Sequence, residues 1–319
     1  MRAWITLSLL ALFLTIAIAS SQSSDNPTVI NLMIDAQYPS TAKTVLEADT
    51  LLDNIYNQLQ DRNLVATIYA TQDVLKTDVN LDLTRIALNS RFELAMSGKN
   101  PDEIIGTRSY AEQRDLLETS KRWTEACRIC GQNNITVYGF IPQSFDQNDD
   151  TYAVLDYLGV QYDAGFQAGL IYTPGHENDV WPYLIQGHNV YAVPVSVYAL
   201  TNKTVVLQDK YFVDNGLGAD QWQDALVGKL DDIQGTDEPL VISLTTSVSG
   251  SGDYLNALSS FLDYAISRNA SFVTTMQLVI LAKTGAHDAS LLTANVSSEC
   301  PTCGENKVIS INFTETPAK

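Results

Sequence analysis

The chain has 319 residues, with 19 Lys or Arg against 37 Asp or Glu, a formal charge of −18. That length is enough to bury a core as one large α/β domain, and an apolar share of 45% argues against disorder. The acidic balance argues against nucleic acid as a partner, because the phosphate backbone would be repelled.

Residues 1–19 carry Arg2, an apolar run from Trp4 to Ile18, and Ala17-Ile18-Ala19 ahead of Ser20. This reads as a secretory signal peptide, too short to span a bilayer comfortably. Export follows, to the extracellular space or the cell surface, and removal of Arg2 takes the charge from −18 to −19. Sequons at Asn134, Asn202, Asn269, Asn295 and Asn312 fit an exported glycoprotein. No later segment reads as a membrane span.

A polar leader, residues 20–27, precedes Val29-Ile-Asn-Leu-Met-Ile-Asp35, an apolar run ending in aspartate that reads as a first strand. Over Ala42 to Asp61 the positions Val45, Ala48, Leu52, Ile55, Tyr56 and Leu59 form one helical face. Strands follow at Leu64 to Ala70 and Arg91 to Met96, with a short helix at Leu83 to Leu88 between them. The spacing predicts a long helix from Ser109 to Cys130 with Leu116, Ser120, Trp123, Cys127 and Cys130 on one side, ended by Gly131.

Strand Ile135 to Phe140, helix Tyr152 to Leu158 and strand Val160 to Asp163 come next, then a Gly-, Pro- and aromatic-rich insertion, Gly165 to His188, read as a long loop or hairpin. Asn189 to Leu200 reads as a strand whose Pro194 implies an edge or a bulge. Helix Gln221 to Leu230, strand Leu240 to Leu244, polar loop Thr245 to Gly252, helix Asp253 to Arg268, strand Ser271 to Thr274 and helix Met276 to Lys283 complete a domain spanning 28–284. Residues 285–319 form an appendage packed on it.

The order of these segments resembles the polysaccharide deacetylase, or NodB-homology, family, an irregular (β/α) barrel. The carriers are the strand ending at Asp35, Leu64-Val-Ala-Thr-Ile-Tyr-Ala70, Phe92-Glu-Leu-Ala-Met96, Gly139-Phe-Ile-Pro142, Tyr162-Asp163 and Phe272-Val-Thr-Thr-Met276. The resemblance implies hydrolysis in which a divalent ion polarises an acetamide carbonyl and activates water. It sets Asp35 at the catalytic-base position, but Ala36 where an aspartate would bind metal, and Met96 and Asn100 where two histidines would. Ile141 replaces an arginine, and Leu244-Thr-Thr246 has no closing histidine.

The resulting expectation is a pseudoenzyme, or a site rebuilt for another task, with no cofactor at the barrel. Asp35 is the candidate catalytic residue, against the plainer reading of a strand-end aspartate bonded to backbone amides. Gln143 and Asp163 are placed at the same mouth, and Trp181 heads the aromatic rings of the insertion suited to stacking on sugars. The expected role is binding of glycan or another cell-surface polymer. The alternatives are a carbohydrate deacetylase acting through rebuilt ligands and a structural component of an extracellular layer.

Two Cys-x-x-Cys-Gly pairs, Cys127/Cys130 and Cys300/Cys303, would pin the appendage to the long helix through disulfides, which export favours, or through a structural zinc or iron. Asp146 to Asp150 resembles the start of a calcium loop but lacks its glycine and terminal glutamate, and reads better as a helix N-cap. His176, beside Glu177 and Asp179, reads as part of a solvated loop.

Overall fold

A computed structural model describes residues 27–37, 45–76, 83, 89, 91–126, 136–201, 203–285, 287–289 and 292. The signal peptide, most of the appendage, and the sequons at Asn134, Asn202, Asn295 and Asn312 lie outside these residues, as does the helix expected at 83–88 apart from Leu83. So do the four cysteines, Cys127, Cys130, Cys300 and Cys303, and with them the disulfides or structural metal expected there. Asn269 lies within the described residues, exposed and left-handed (φ 58°).

The architecture is mixed α/β around a mostly parallel sheet. Its strands are β1 (Val29–Ala36), β2 (Ala66–Ala70), β3 (Phe92–Met96), β4 (Gly139–Phe140), β5 (Tyr162–Gln167), β6 (Tyr183–Leu184), β7 (Tyr191–Val195), β10 (Leu240–Thr245) and β11 (Ser271–Val273); β8 (Val197–Leu200) and β9 (Lys203–Val206) form a separate hairpin. The order is β10-β1-β2-β3-β4-β5-β7-β6, and only β6 runs antiparallel to its neighbour. One edge of β1 pairs with β10 from Ile30 to Asp35, while the other is shared between β11 at Val29–Asn31 and β2 at Met33–Ala36. All eight residues of β1 are buried, as a central parallel strand covered on both faces requires.

The sheet curls towards a barrel that, among the described residues, no continuous ladder closes. Between β7 and β10 the link is Ser196, whose N–H donates to the Val241 carbonyl at 2.9 Å and whose Oγ accepts from the Val241 N–H at 2.9 Å. The single strand expected over Asn189 to Leu200 therefore breaks at Ser196 and changes partners. Pro194 lies opposite Phe166, beyond a register shift in the β5–β7 ladder and past the end of β6, so its missing N–H leaves no gap in a ladder.

Helices are α1 (Val45–Asp61), α2 (Gln72–Leu75), α3 (Tyr110–Glu125), α4 (Asp149–Leu158), α5 (Asp209–Asp214), α6 (Ala219–Ile233), α7 (Thr246–Ser249), α8 (Gly252–Ser267) and α9 (Thr275–Thr284). Leu52, Ile55, Trp222, Leu226 and Phe261 from α1, α6 and α8 cover the outside of β1, β2 and β10. Leu117 of α3 with Tyr152, Val154 and Leu155 of α4 covers the β3–β7 side. Inside, Met33, Tyr69, Ala95, Ile141 and Tyr162 fill the lumen, and Leu278, Val279 and Leu281 of α9 close the end where the strands begin.

The buried face of α3 is Gln113, Leu117, Ser120 and Thr124, so of the predicted row Ser120 lies on it but Leu116 and Trp123 do not. Polar residues win that face because each is satisfied there. Gln113 Nε2 donates to the Arg108 carbonyl at 2.9 Å, and Gln72 Nε2 donates to Ser120 Oγ at 2.9 Å. Asn148 caps α4, its side chain accepting from the Thr151 N–H at 3.1 Å, so the acidic 146–150 stretch is a helix start.

Candidate functional site

Side chains alternate along β1, so with Val29 and Met33 in the interior cluster Asp35 also turns inward, at the end where the strands finish. Extended chain continues this parity to Gln37. The same alternation sets Ala95 and Ser97 inward after β3, and Ile141 and Gln143 inward after β4. Three strand ends thus deliver Asp35, Gln37, Ser97 and Gln143 to one place.

They form a closed hydrogen-bond group. Gln37 Nε2 donates to Asp35 Oδ2 at 2.5 Å and to Gln143 Oε1 at 2.8 Å. Gln143 Nε2 donates to Asp35 Oδ2 at 3.1 Å and to Ser97 Oγ at 2.7 Å, and Ser97 Oγ donates to the Ile141 carbonyl at 3.0 Å. Asp35 is 8% exposed, and among the described residues its Oδ1 has no partner. Burial raises its pKa to about 7, against the smaller lowering effect of the two glutamine amides, with a further upward push from Asp209. A carboxyl titrating near neutrality with one free oxygen is equipped to take or give a proton.

Behind this group, Thr246 Oγ1 accepts from the Gln37 N–H at 3.2 Å and donates to the Gln37 carbonyl at 3.4 Å. The expected polar loop 245–252 is the short helix α7 followed by a turn at Gly252 (φ 62°). It is held against α1, where Asn54 Nδ2 donates to the Gly250 carbonyl at 2.9 Å and a Cβ on Gly250 would lie 2.7 Å from that of Leu51.

Asp163 does not join Asp35. Its neighbours Tyr162 and Ala164 face the lumen, so Asp163 faces outward into the layer under α4, where burial chiefly, with a smaller push from the Asp163 charge, raises the pKa values of Tyr152 and Tyr183. It is fully buried, accepts among the described residues only from the Gly165 N–H at 2.8 Å, and burial raises its pKa to about 7. Trp181 is also elsewhere, at the strand-start end. There it stacks on His287 at 3.9 Å and donates to the Asp237 carbonyl at 2.6 Å, in a cavity of about 240 Å³ shared with Thr28 and Glu238. The insertion reaches both ends of the barrel, and its parity and path are tertiary facts. Gln37, Ser97 and Asp209 escaped the sequence reading, which placed Thr246 at the site only as the position lacking a histidine; of the three, only Gln37, two residues after Asp35 on an extended chain, left a signal.

The residues at the mouth do not fit the divalent ion that the family resemblance implies. Asp35 Oδ2 already faces two amide N–H groups, whose positive ends point where a cation would sit, and Gln143 Oε1 is taken by Gln37. Met96 is buried in the outer layer, and Asn100 accepts from the Asp102 N–H at 3.1 Å within its own loop. Among the described residues, which do not include Cys127, Cys130, Cys300 or Cys303, no three His, Cys, Asp or Glu side chains gather in a metal-holding group. His176 binds Asp179 at 2.6 Å and stacks on Tyr183.

No protein-family model matches the sequence, and no curated protein is significantly similar to it. The fold is nevertheless shared with solved structures. A candidate polysaccharide deacetylase from Mycobacterium smegmatis superposes with a TM-score of 0.61 at 14% identity, covering 82% of this chain and 91% of the other. The allantoinase PuuE gives 0.63 at 14% identity over 83% and 93%, and a CE4-family pseudoenzyme from Bacillus anthracis gives 0.51 at 13% over 80% and 66%. The fold is that of the NodB, or CE4, polysaccharide deacetylases. At such identities the likeness carries architecture alone, and neighbours described by different reactions, or by none, show that this scaffold does not dictate one chemistry.

Proposed function

We propose that this chain is an exported, deacetylase-like protein that binds glycan or another cell-surface polymer at the barrel mouth and does not perform metal-dependent deacetylation. The observation that carries the reading is the occupation of Asp35 Oδ2 by the amides of Gln37 and Gln143. Amides, hydroxyls and one carboxyl are the groups that recognise sugar hydroxyls. A separate cleft of about 540 Å³ at the start of α4, lined by Gln147, Asn148, Tyr152 and the exposed Tyr172, adds aromatic surface for a sugar face.

A second reading is favoured by one observation, the unpartnered Oδ1 of a carboxyl with a pKa of about 7. There Asp35 acts as general base in a hydrolase whose site is rebuilt without the usual ligands. Calorimetric titration of the purified protein with chitin-type and cellulose-type oligomers, paired with an acetate-release assay with and without zinc, separates the two. Binding that weakens in Gln143→Ala, with no acetate released, supports the first. Acetate release that Asp35→Asn abolishes supports the second, and a stoichiometric metal at Asp35 overturns both.

A further inference from the structure

Asp209, at the start of α5, is fully buried and lies outside every motif of the sequence reading. Its Oδ2 accepts from the Thr245 N–H at 2.8 Å and from Ser249 Oγ at 2.6 Å, while Oδ1 accepts from the Lys210 N–H at 2.6 Å. The first two bonds clamp both ends of the segment 245–249 that carries Thr246. Thr245 is the residue opposite Asp35 in the β1–β10 ladder, and Thr246 grips both backbone groups of Gln37.

We propose that Asp209 is the positioning residue of the Asp35 centre: by fixing α7 it sets Thr246, which sets Gln37, which presents its amide to Asp35. The inference rests on the reading of Asp35 as the functional centre, yet its geometry stands whatever the mouth binds. A carboxylate suits this post because one acceptor group takes three donors, which an amide would match only in part.

Two routes connect Asp209 to Asp35, and they push in opposite directions. Its charge alone disfavours ionisation of Asp35, whereas the Gln37 amide that it helps to place favours it. The experiment is a carbon-13 carboxyl NMR titration of Asp35 in the wild type, Asp209→Asn and Thr246→Val, with thermal unfolding as a control for folding. The expected result is an upward shift of the Asp35 midpoint in both variants, because each loosens Gln37, and loss of the Gln37 side-chain signal shift that accompanies the titration. A downward shift in Asp209→Asn, or none, overturns the proposal. So does an Asp35 midpoint unmoved in Thr246→Val, which alters no charge. If Asp209→Asn does not fold, Ser249→Ala and Thr246→Val carry the test under the same criteria. Because the readout is titration, its failure is distinct from a failure to bind glycan.

Discussion

The two ends of the barrel each hold a carboxyl among polar neighbours, and the difference between them separates structure from function. At the closed end Glu93 accepts from Tyr162 OH at 2.7 Å on one oxygen, and from Thr67 Oγ1 at 3.1 Å and the Met276 N–H at 2.8 Å on the other. Tyr69 OH extends the group by donating to Thr275 Oγ1 at 3.0 Å. Both Glu93 oxygens are used, and the effect is to dock the first turn of α9 into the lumen. At the open end Asp35 receives, among the described residues, two donors on one oxygen and none on the other. Burial raises both pKa values, but of the two only Asp35 keeps a free oxygen, at the end where strands of this fold finish.

The largest expected effect is at the closed end. Tyr162 crosses Gly139 so closely that an added Cβ would lie 1.8 Å from the Tyr162 ring. Gly139→Ala therefore displaces the ring from Glu93 and destabilises by about 3 kcal/mol or more, read in urea unfolding. Glu93→Ala strands the Tyr162, Thr67 and Met276 donors and costs about 2–4 kcal/mol in the same assay. A loss below about 0.5 kcal/mol would mean that the closed end is not the structural one.

At the open end the sign is opposite and the size depends on pH. Asp35 has a folded pKa of about 7 against an ordinary 3.8, so its contribution to stability is fully present below about 3.8 and is lost as pH rises through about 7. Asp35→Asn is expected to leave stability nearly unchanged at pH 4 and to raise it at pH 8 by on the order of a few kcal/mol, seen as a flatter dependence of Tm on pH. Asp163→Asn moves Tm in the same direction, since burial holds its pKa at about 7 too. Glycan binding then distinguishes the two, Asp35→Asn altering it and Asp163→Asn leaving it unchanged. The smallest effect belongs to Gln143→Ala, about 1 kcal/mol of stability with an upward move of the Asp35 midpoint.

The architecture was legible because the apolar runs of β1, β2, β3 and β10 and the helical face of α1 carry their periods openly. The mouth was legible only in part. Asp35 and Gln143 stand at strand ends, where sequence position implies proximity. Asp163 could not be oriented, because Tyr162, Asp163 and Ala164 are all buried and a strand covered on both faces has no polar side to mark its parity. Trp181 sits in an insertion whose path depends on packing against Asp237 and His287. Asp209 acts through donors of the 245–249 segment, more than thirty residues later in the chain, a relation that no local pattern encodes.

Both readings of the mouth have Asp35 held by two glutamine amides in a place that does not take a metal, and the general-base reading further needs it to be a neutral-range carboxyl. A carbon-13 NMR titration of Asp35 with zinc and with chelator tests this directly. The expected midpoint is near 7 and the same in both. A midpoint near the ordinary 3.8, or a zinc-dependent fall in the midpoint with stoichiometric binding, would contradict it.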